Sequence, residues 1–239
     1  MSAFLGSWFI AGTDTGVGKT RVTAALLRAL GARGVRAAGM KPVAAGCTGG
    51  RNEDVEALAA QSCAGIAMPD MNPYCFAEPI SPHLAAELEG VPIDPARIVA
   101  AHARLATRCQ VVLVEGTGGW LTPIGATATM ADIAQALGLP IVLVVGLRLG
   151  CLNLALLSAQ AIAQQRLVLR GWIGSLIDPT MRALDGNIAT LTARLGAPML
   201  GHLPHAPRDQ EDARQLRAVA DALLQGSWPG ATPGAEPSP

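Results

Sequence analysis

Four apolar residues, Trp8-Phe9-Ile10-Ala11, run directly into Gly12-Thr13-Asp14-Thr15-Gly16-Val17-Gly18-Lys19-Thr20. An amphipathic pattern follows, with Val22, Leu26, Leu27 and Leu30 on one helical face. Strand, glycine-rich loop ending in Gly-Lys-Thr, then helix is the layout of a phosphate-binding P-loop. The first N–H groups of a helix lack partners inside it and lie at the positive end of its dipole, so they attract an anion. Glycines let that backbone come close. Lys19 then reaches the outer phosphates, and the Thr20 hydroxyl completes the shell of a magnesium ion. The strict spacing wants glycine where Thr13 stands; Gly12 comes one residue early, so the loop is a variant. The competing reading is a glycine-rich turn beside an ordinary surface lysine, and the strand and helix on either side argue against it.

Strand candidates recur along the chain with helices between them. Ala37-Ala38-Gly39-Met40-Lys41 is a short strand, and 111–114 and 141–145 are continuous apolar runs of the kind buried on both faces. Further strands are expected at 172–177 and 199–203. Helical patterns occupy 54–62, 94–107, 129–137, 151–165, 184–195 and 211–224. This alternation predicts an α/β fold: one P-loop domain over 1–225, with a mostly parallel β-sheet flanked by helices on both faces. The segment 65–92 carries Pro69, Pro73, Pro79, Pro82 and Pro92 and little periodicity, and reads as an ordered excursion over the sheet edge. The Pro- and Gly-rich stretch 226–239 reads as a disordered tail.

Bulk properties exclude several functions. Half of the residues are apolar, enough for a sizeable core, while aromatics are only 3%, too few for a stacking surface along single-stranded nucleic acid. Eighteen basic and eighteen acidic residues cancel without a basic cluster, which argues against nucleic-acid and anionic-membrane partners. Five scattered cysteines with no Cys-x-x-Cys are expected as reduced thiols in a cytoplasm, with no zinc site. No basic residue precedes the first apolar stretch, so no signal peptide is expected, and 140–149 is too short to span a bilayer.

Ligands of parallel sheets bind beyond the carboxyl ends of the strands. The first strand ends in the glycine-rich loop and the second in Lys41-Pro42-Val43. The third ends in Glu115-Gly116-Thr117-Gly118-Gly119, and the later ones in Gly146-Leu147-Arg148, Asp178-Pro179 and Pro204-His205. Glu115 stands where Walker-B-type acids hold magnesium, the alternative being a surface or cap residue. Asp54 opens a helix and is read equally as a metal ligand or a plain helix start. Lys41 alone would be a solvated lysine; its place on the same edge as Lys19 makes it a partner for a phosphate, carboxylate or carbamate. His83, His102, His202 and His205 have no metal-ligand spacing and read as structural; Asp132 reads as a helix or cap residue.

The ordered set of motifs resembles the dethiobiotin synthetase family. It comprises the loop 12–20, Gly39-Met40-Lys41-Pro42-Val43, Arg51-Asn52-Glu53-Asp54, Asn72-Pro73-Tyr74 and Phe76-Ala77-Glu78-Pro79 with Ser81-Pro82-His83. Further on come 114–120 (Val-Glu-Gly-Thr-Gly-Gly-Trp), 143–146 with Leu149-Gly150-Cys151-Leu152-Asn153, Gly171-Trp172 and 200–204. The resemblance spans nearly the whole chain up to the last helix. It implies a homodimer that uses ATP and Mg2+ to join carbon dioxide to 7,8-diaminononanoate, through a carbamate and a carbamic–phosphoric anhydride, to give dethiobiotin, ADP and phosphate. It further implies that Lys19, Lys41 and Thr15 serve catalysis and that Thr20, Asp54 and Glu115 hold the metal. By the same resemblance Gly16, Val17, Gly18, Lys19, Thr20, Arg21 and Gly116, Thr117, Gly118 surround the nucleotide. Ser175, Leu176, Pro204, His205, Ala206 and Glu211 border its base or ribose. Lys41, Ala45, Gly150, Cys151 and Asn153 meet the diamine, the last three from the partner subunit. Gly16 replaces a glutamate of some members, Ala45 a serine, and Ser175-Leu176 an Asn-Asp pair that contacts adenine; a serine cannot offer both an amide donor and an acceptor. Rival readings are the cobyrinate-type amidotransferase synthetase, which would carry a glutaminase domain, and a partition-type ATPase, which would carry lysine in place of Asp14.

Overall fold

The computed structural model describes residues 4–206 and 209–225. In chain order the first elements are β1 (Gly6–Gly12), α1 (Lys19–Gly31), β2 (Ala37–Met40), β3 (Val43–Ala45), α2 (Glu53–Gln61), α3 (Met68–Met71) and β4 (Tyr74–Phe76). Then come α4 (Pro82–Leu88), α5 (Pro95–Ala106), β5 (Val111–Glu115), α6 (Met130–Leu137), β6 (Ile141–Leu147) and α7 (Cys151–Gln164). The described chain closes with β7 (Leu169–Leu176), α8 (Leu184–Arg194), β8 (Met199–Leu203), α9 (Asp209–Gln215) and α10 (Arg217–Gln225).

Six strands form one parallel sheet in the order β2-β5-β1-β6-β7-β8. Every residue of β5 and β6 is buried, which explains the apolar runs 111–114 and 141–145 and leaves Glu115 as a buried carboxylate at the end of β5. Alternate side chains go to opposite faces. Trp8 and Ile10 join α1, α9 and α10 in one core; Phe9 and Ala11 join α5, α6 and α7 in the other. The expected parallel sheet with helices on both faces is therefore present.

This topology places the site. The chain leaves β1 into α1 on one face and leaves β5 toward α6 on the opposite face. Adjacent strands whose exits diverge leave a crevice between their carboxyl ends. Here it lies between Gly12 at the end of β1 and Glu115 at the end of β5.

Three expectations need correction. The excursion 65–92 is more regular than its prolines suggested: it contains α3, β4 and α4, and β4 pairs in parallel with β3 as a second, two-stranded sheet. Strands of three residues are too short to show a period. The helix expected over 211–224 is two helices, with fully buried Leu216 between them. Not all the thiols are reduced. Cys47 and Cys75 form a disulfide, while Cys63, Cys109 and Cys151 are free. The pairing of β3 with β4 brings Cys75 opposite Ala44, a contact invisible to cysteine spacing. The stretch 226–239 lies outside the described residues.

Candidate active site

The loop between β1 and α1 turns through Gly16 (φ 72°) and Gly18 (φ 89°), left-handed conformations that suit glycine, and opens α1 at Lys19. The early glycine has a physical reason. A Cβ at Gly12 would lie 2.7 Å from Lys19 Nζ, so the lysine stem folds back over position 12 only because nothing projects there. The Lys19 ammonium donates to the carbonyls of Asp14 (2.8 Å) and Gly118 (2.6 Å), bridging the loops after β1 and β5. Val17, placed among the nucleotide residues, buries its side chain against Gly146, so it has only backbone to offer a ligand.

Lys41 sits just past β2 and is 5% exposed, which removes the reading of a solvated lysine. It donates to Glu115 Oε1 at 2.9 Å and pairs with Asp54. Thr20 donates its hydroxyl to the same Glu115 oxygen at 2.7 Å. Glu115 is fully buried, and its Oε2 has no hydrogen-bond partner among the described residues. A buried carboxylate oxygen left in that condition is costly unless a cation meets it. Thr20, Asp54 and Glu115 are all oxygen donors, few in number, the set suited to an ion that keeps several waters. The residues therefore fit magnesium.

The two lysines differ electrostatically. Burial pulls Lys19 down to about 8 against the opposing charge of Glu115. Burial also acts on Lys41, but Glu115 and Asp54 together outweigh it and hold Lys41 above its ordinary value. Asp54 responds in turn: burial would raise it, yet Lys41 draws it below the usual carboxylate range.

Lys19, Lys41, Thr20 and Asp54 face one cavity of about 970 Å³, at the large end of small-molecule sites, while Glu115 is fully buried behind Thr20 and Lys41 and is not part of the lining. Its lining brings together Thr15, Gly16, Gly18, Lys19, Thr20, Lys41, Ala45, Asp54, Thr117 and Gly118, all named from sequence. It also includes Asn52, Ser81 and Pro82, for which the sequence reading assigned no role at the site. Asn52 caps α2, accepting from the N–H groups of Asp54 (3.1 Å) and Val55 (3.4 Å) and so aiming the first turn at the cavity. An Asn just before an acidic first turn is a legible helix-start signal. Arg148, read from sequence as a strand-end residue without a role, pairs with Asp14 at 2.6 Å; Asp14 in turn accepts from Thr15 N–H at 2.7 Å.

A family profile described as an AAA domain matches residues 7–211. The ATP-dependent dethiobiotin synthetase BioD of Nitrosospira multiformis is 47% identical over 220 residues, covering 92% of this chain and 96% of that one. The protein of the same name from Ralstonia nicotianae is 51% identical over 217 residues, covering 89% and 94%. The chain belongs to the dethiobiotin synthetase family. Among solved structures, MinD of Aquifex aeolicus aligns with a TM-score of 0.58 at 15% identity, covering 94% of this chain and 98% of that one. Chloroplast FtsY of Physcomitrella patens gives 0.55 at 19%, covering 94% and 66%. Likeness at such identity shows a shared fold and nothing about activity.

The remaining positions implied for a dethiobiotin synthetase lie outside the lining of the cavity within one chain. Arg21 leaves α1 to donate to the carbonyls of Pro204 (2.6 Å), His205 (3.4 Å) and Ala206 (3.0 Å), and grips Asp212 with two bonds. Glu211 lies on α9 beside that grip, half-buried. Ser175 is 1% exposed, and a Cβ at Gly18 would fall 2.6 Å from its hydroxyl, so it packs beneath the loop. Leu176 packs on the core. Gly116 sits over the Phe9 ring. Gly150 (φ 95°) caps α7, Cys151 is buried and Asn153 is exposed.

Proposed function

We propose that this chain uses ATP to join carbon dioxide to 7,8-diaminononanoate and close the cyclic urea of dethiobiotin. The juxtaposition that carries the reading is two buried ammonium groups, Lys19 and Lys41, on one cavity floored by a phosphate loop. An amine of the substrate adds to carbon dioxide and loses a proton, giving a carbamate whose oxygen leaves poorly. That oxygen attacks the γ-phosphorus of ATP, ADP departs, and a carbamic–phosphoric anhydride results. The second amine of the same molecule attacks the carbonyl carbon, the bond to the phosphate oxygen breaks, and phosphate leaves. Closure is intramolecular, so proximity supplies much of the rate.

Phosphoryl transfer needs chiefly positioning and charge neutralisation. The loop N–H groups and Lys19 hold the outer phosphates. Lys41, kept charged by Glu115 and Asp54, stabilises the carbamate and the charge that develops on it. Thr15 supplies a hydroxyl at the cavity wall. Thr20, Asp54 and Glu115 would hold magnesium, which would supply positive charge against the phosphates of the nucleotide. The enzyme works as a cytoplasmic homodimer, with the 150–153 turn of a second copy receiving the diamine's carboxylate. Leu149, 92% exposed, and Leu157, 55% exposed, put two large apolar side chains outward among polar Asn153 and Gln160, in keeping with a subunit contact.

The test is direct. Purified protein is mixed with the diamine, bicarbonate, ATP and magnesium, and ADP, phosphate and the urea product are sought by mass spectrometry in equal amounts. ATP hydrolysis with no urea formed would overturn the ligase reading in favour of a switch ATPase.

A further inference from the structure

We propose that the Cys47–Cys75 disulfide is a reversible redox modification site that clamps the metal-bearing wall of the active site, resting on the reading of Asp54 as a magnesium ligand. The bond joins the loop after β3 to β4, and Cys47 N–H also donates to the Phe76 carbonyl at 2.9 Å. Its inner side packs on Val55, in one small apolar cluster with Ala44 and Cys47. Val55 follows Asp54 directly. Asn52, which caps the same turn, donates to the Ala45 carbonyl at 3.2 Å. The disulfide, the loop 45–52 and the first turn of α2 are thus one packed unit. Its free edge is Asp54, whose side chain is 47% exposed and held by the Lys41 pair.

The bond can be reached from outside. Cys75 is half-buried and lines a second cavity of about 720 Å³ together with Asn52, Val55 and Arg97; Lys41 is not part of its lining. A dithiol reductant entering there attacks Cys75 Sγ with one thiolate. The S–S bond breaks, and Cys47 leaves as a thiolate and takes a proton. The second reductant thiol attacks the mixed disulfide, frees Cys75 and closes the reductant's own disulfide, so two electrons and two protons reach the protein. The other close pair behaves differently. Cys63 and Cys109 lie 3.6 Å apart as thiols, and burial first, then Cys63, pushes Cys109 up to about 12, far from a reactive thiolate. Disulfides in reducing compartments are chiefly of the redox-sensing or catalytic kind. Reduction leaves the β3–β4 hydrogen bonds in place but frees the loop that supports Asp54.

The experiment compares the full chain prepared without reductant, the same protein treated with dithiothreitol, Cys47→Ser, Cys75→Ser, and Cys63→Ser as a control. Denatured thiol counting should give three thiols before reduction and five after. Calorimetric ATP binding should need about tenfold more magnesium for half-saturation in the reduced protein and both clamp variants, the low end for losing outer-shell support of a metal ligand. Amide exchange over 46–55 should quicken in the same three samples and stay unchanged in Cys63→Ser. Five thiols before reduction, or equal magnesium requirement and equal exchange in both states, overturns the clamp. ATP binding indifferent to magnesium in every sample would sink the metal reading instead, and amide exchange alone would then decide the clamp.

Discussion

Lys41 neutralises two carboxylates while facing the cavity, and the proposed carbamate chemistry rests on it. Lys41→Ala should lower kcat by about 10²–10³-fold, the usual loss for one preorganised charge partner. ATP affinity, measured by calorimetry, should fall much less; equal losses would remove Lys41 from the carbamate side. The same change strands Glu115, fully buried, without its cation, and should cost about 3–5 kcal/mol of stability in a denaturant melt. Lys19 sets the pH response. Its charged form is the one that meets phosphate, and it is held down to about 8 in the free protein, so kcat/KM for ATP should fall as pH rises past about 8. The stability sign is opposite. Between about 8 and the ordinary 10.5 the unfolded chain holds the proton that the folded chain has lost, so the contribution of Lys19 to stability rises with pH across that window. Activity that survives unchanged to pH 9.5 would contradict the lowered value. Both lysines were legible as strand-end and loop residues, but their different electrostatics follow from the direct contacts that Lys41 makes with Asp54 and with Glu115, the latter 74 positions away.

At the scale of elements, Arg21 ties the first helix to the last part of the described chain. It joins Asp212, 191 positions away and 2% exposed, while holding the carbonyls of 204–206. Arg21→Met should destabilise α9 and α10 by about 3 kcal/mol, since it leaves a buried carboxylate unpaired. It should also raise KM for ATP more than it lowers kcat, a split that steady-state kinetics can read. On the proposed reading, β7 borders the nucleotide base. Ser175 is packed beneath Gly18 and Leu176 against the core. Neither presents an amide or carboxylate to a base, so GTP and CTP should support turnover within about tenfold of ATP, the discrimination that one absent hydrogen bond removes. A strong preference for ATP in parallel assays would count against that reading. Sequence showed the elements with long or unbroken patterns, β1, β5, β6 and the amphipathic helices. It did not show β3 and β4, where three residues carry no period, nor the break at Leu216, through which the apolar pattern continues.

For the whole molecule, the proposed dimer places function beyond one chain. Leu157→Glu on the outward face of α7 should shift sedimentation from dimer to monomer and lower diamine affinity, leaving ATP binding within about twofold because the phosphate loop is complete in one copy. An unchanged dimer would move the subunit contact elsewhere. The order of strand, loop and helix along the chain was enough to determine the parallel sheet, the phosphate loop and which strand ends carry polar groups, because periodicity and backbone geometry are local. Only the tertiary structure decided that Glu115 is shared by Thr20 and Lys41, that Cys47 meets Cys75, and that Arg21 grips Asp212. Those contacts join residues from 28 to 191 positions apart, and a local pattern carries no information about which distant groups the folded sheet will bring within hydrogen-bond or bonding distance.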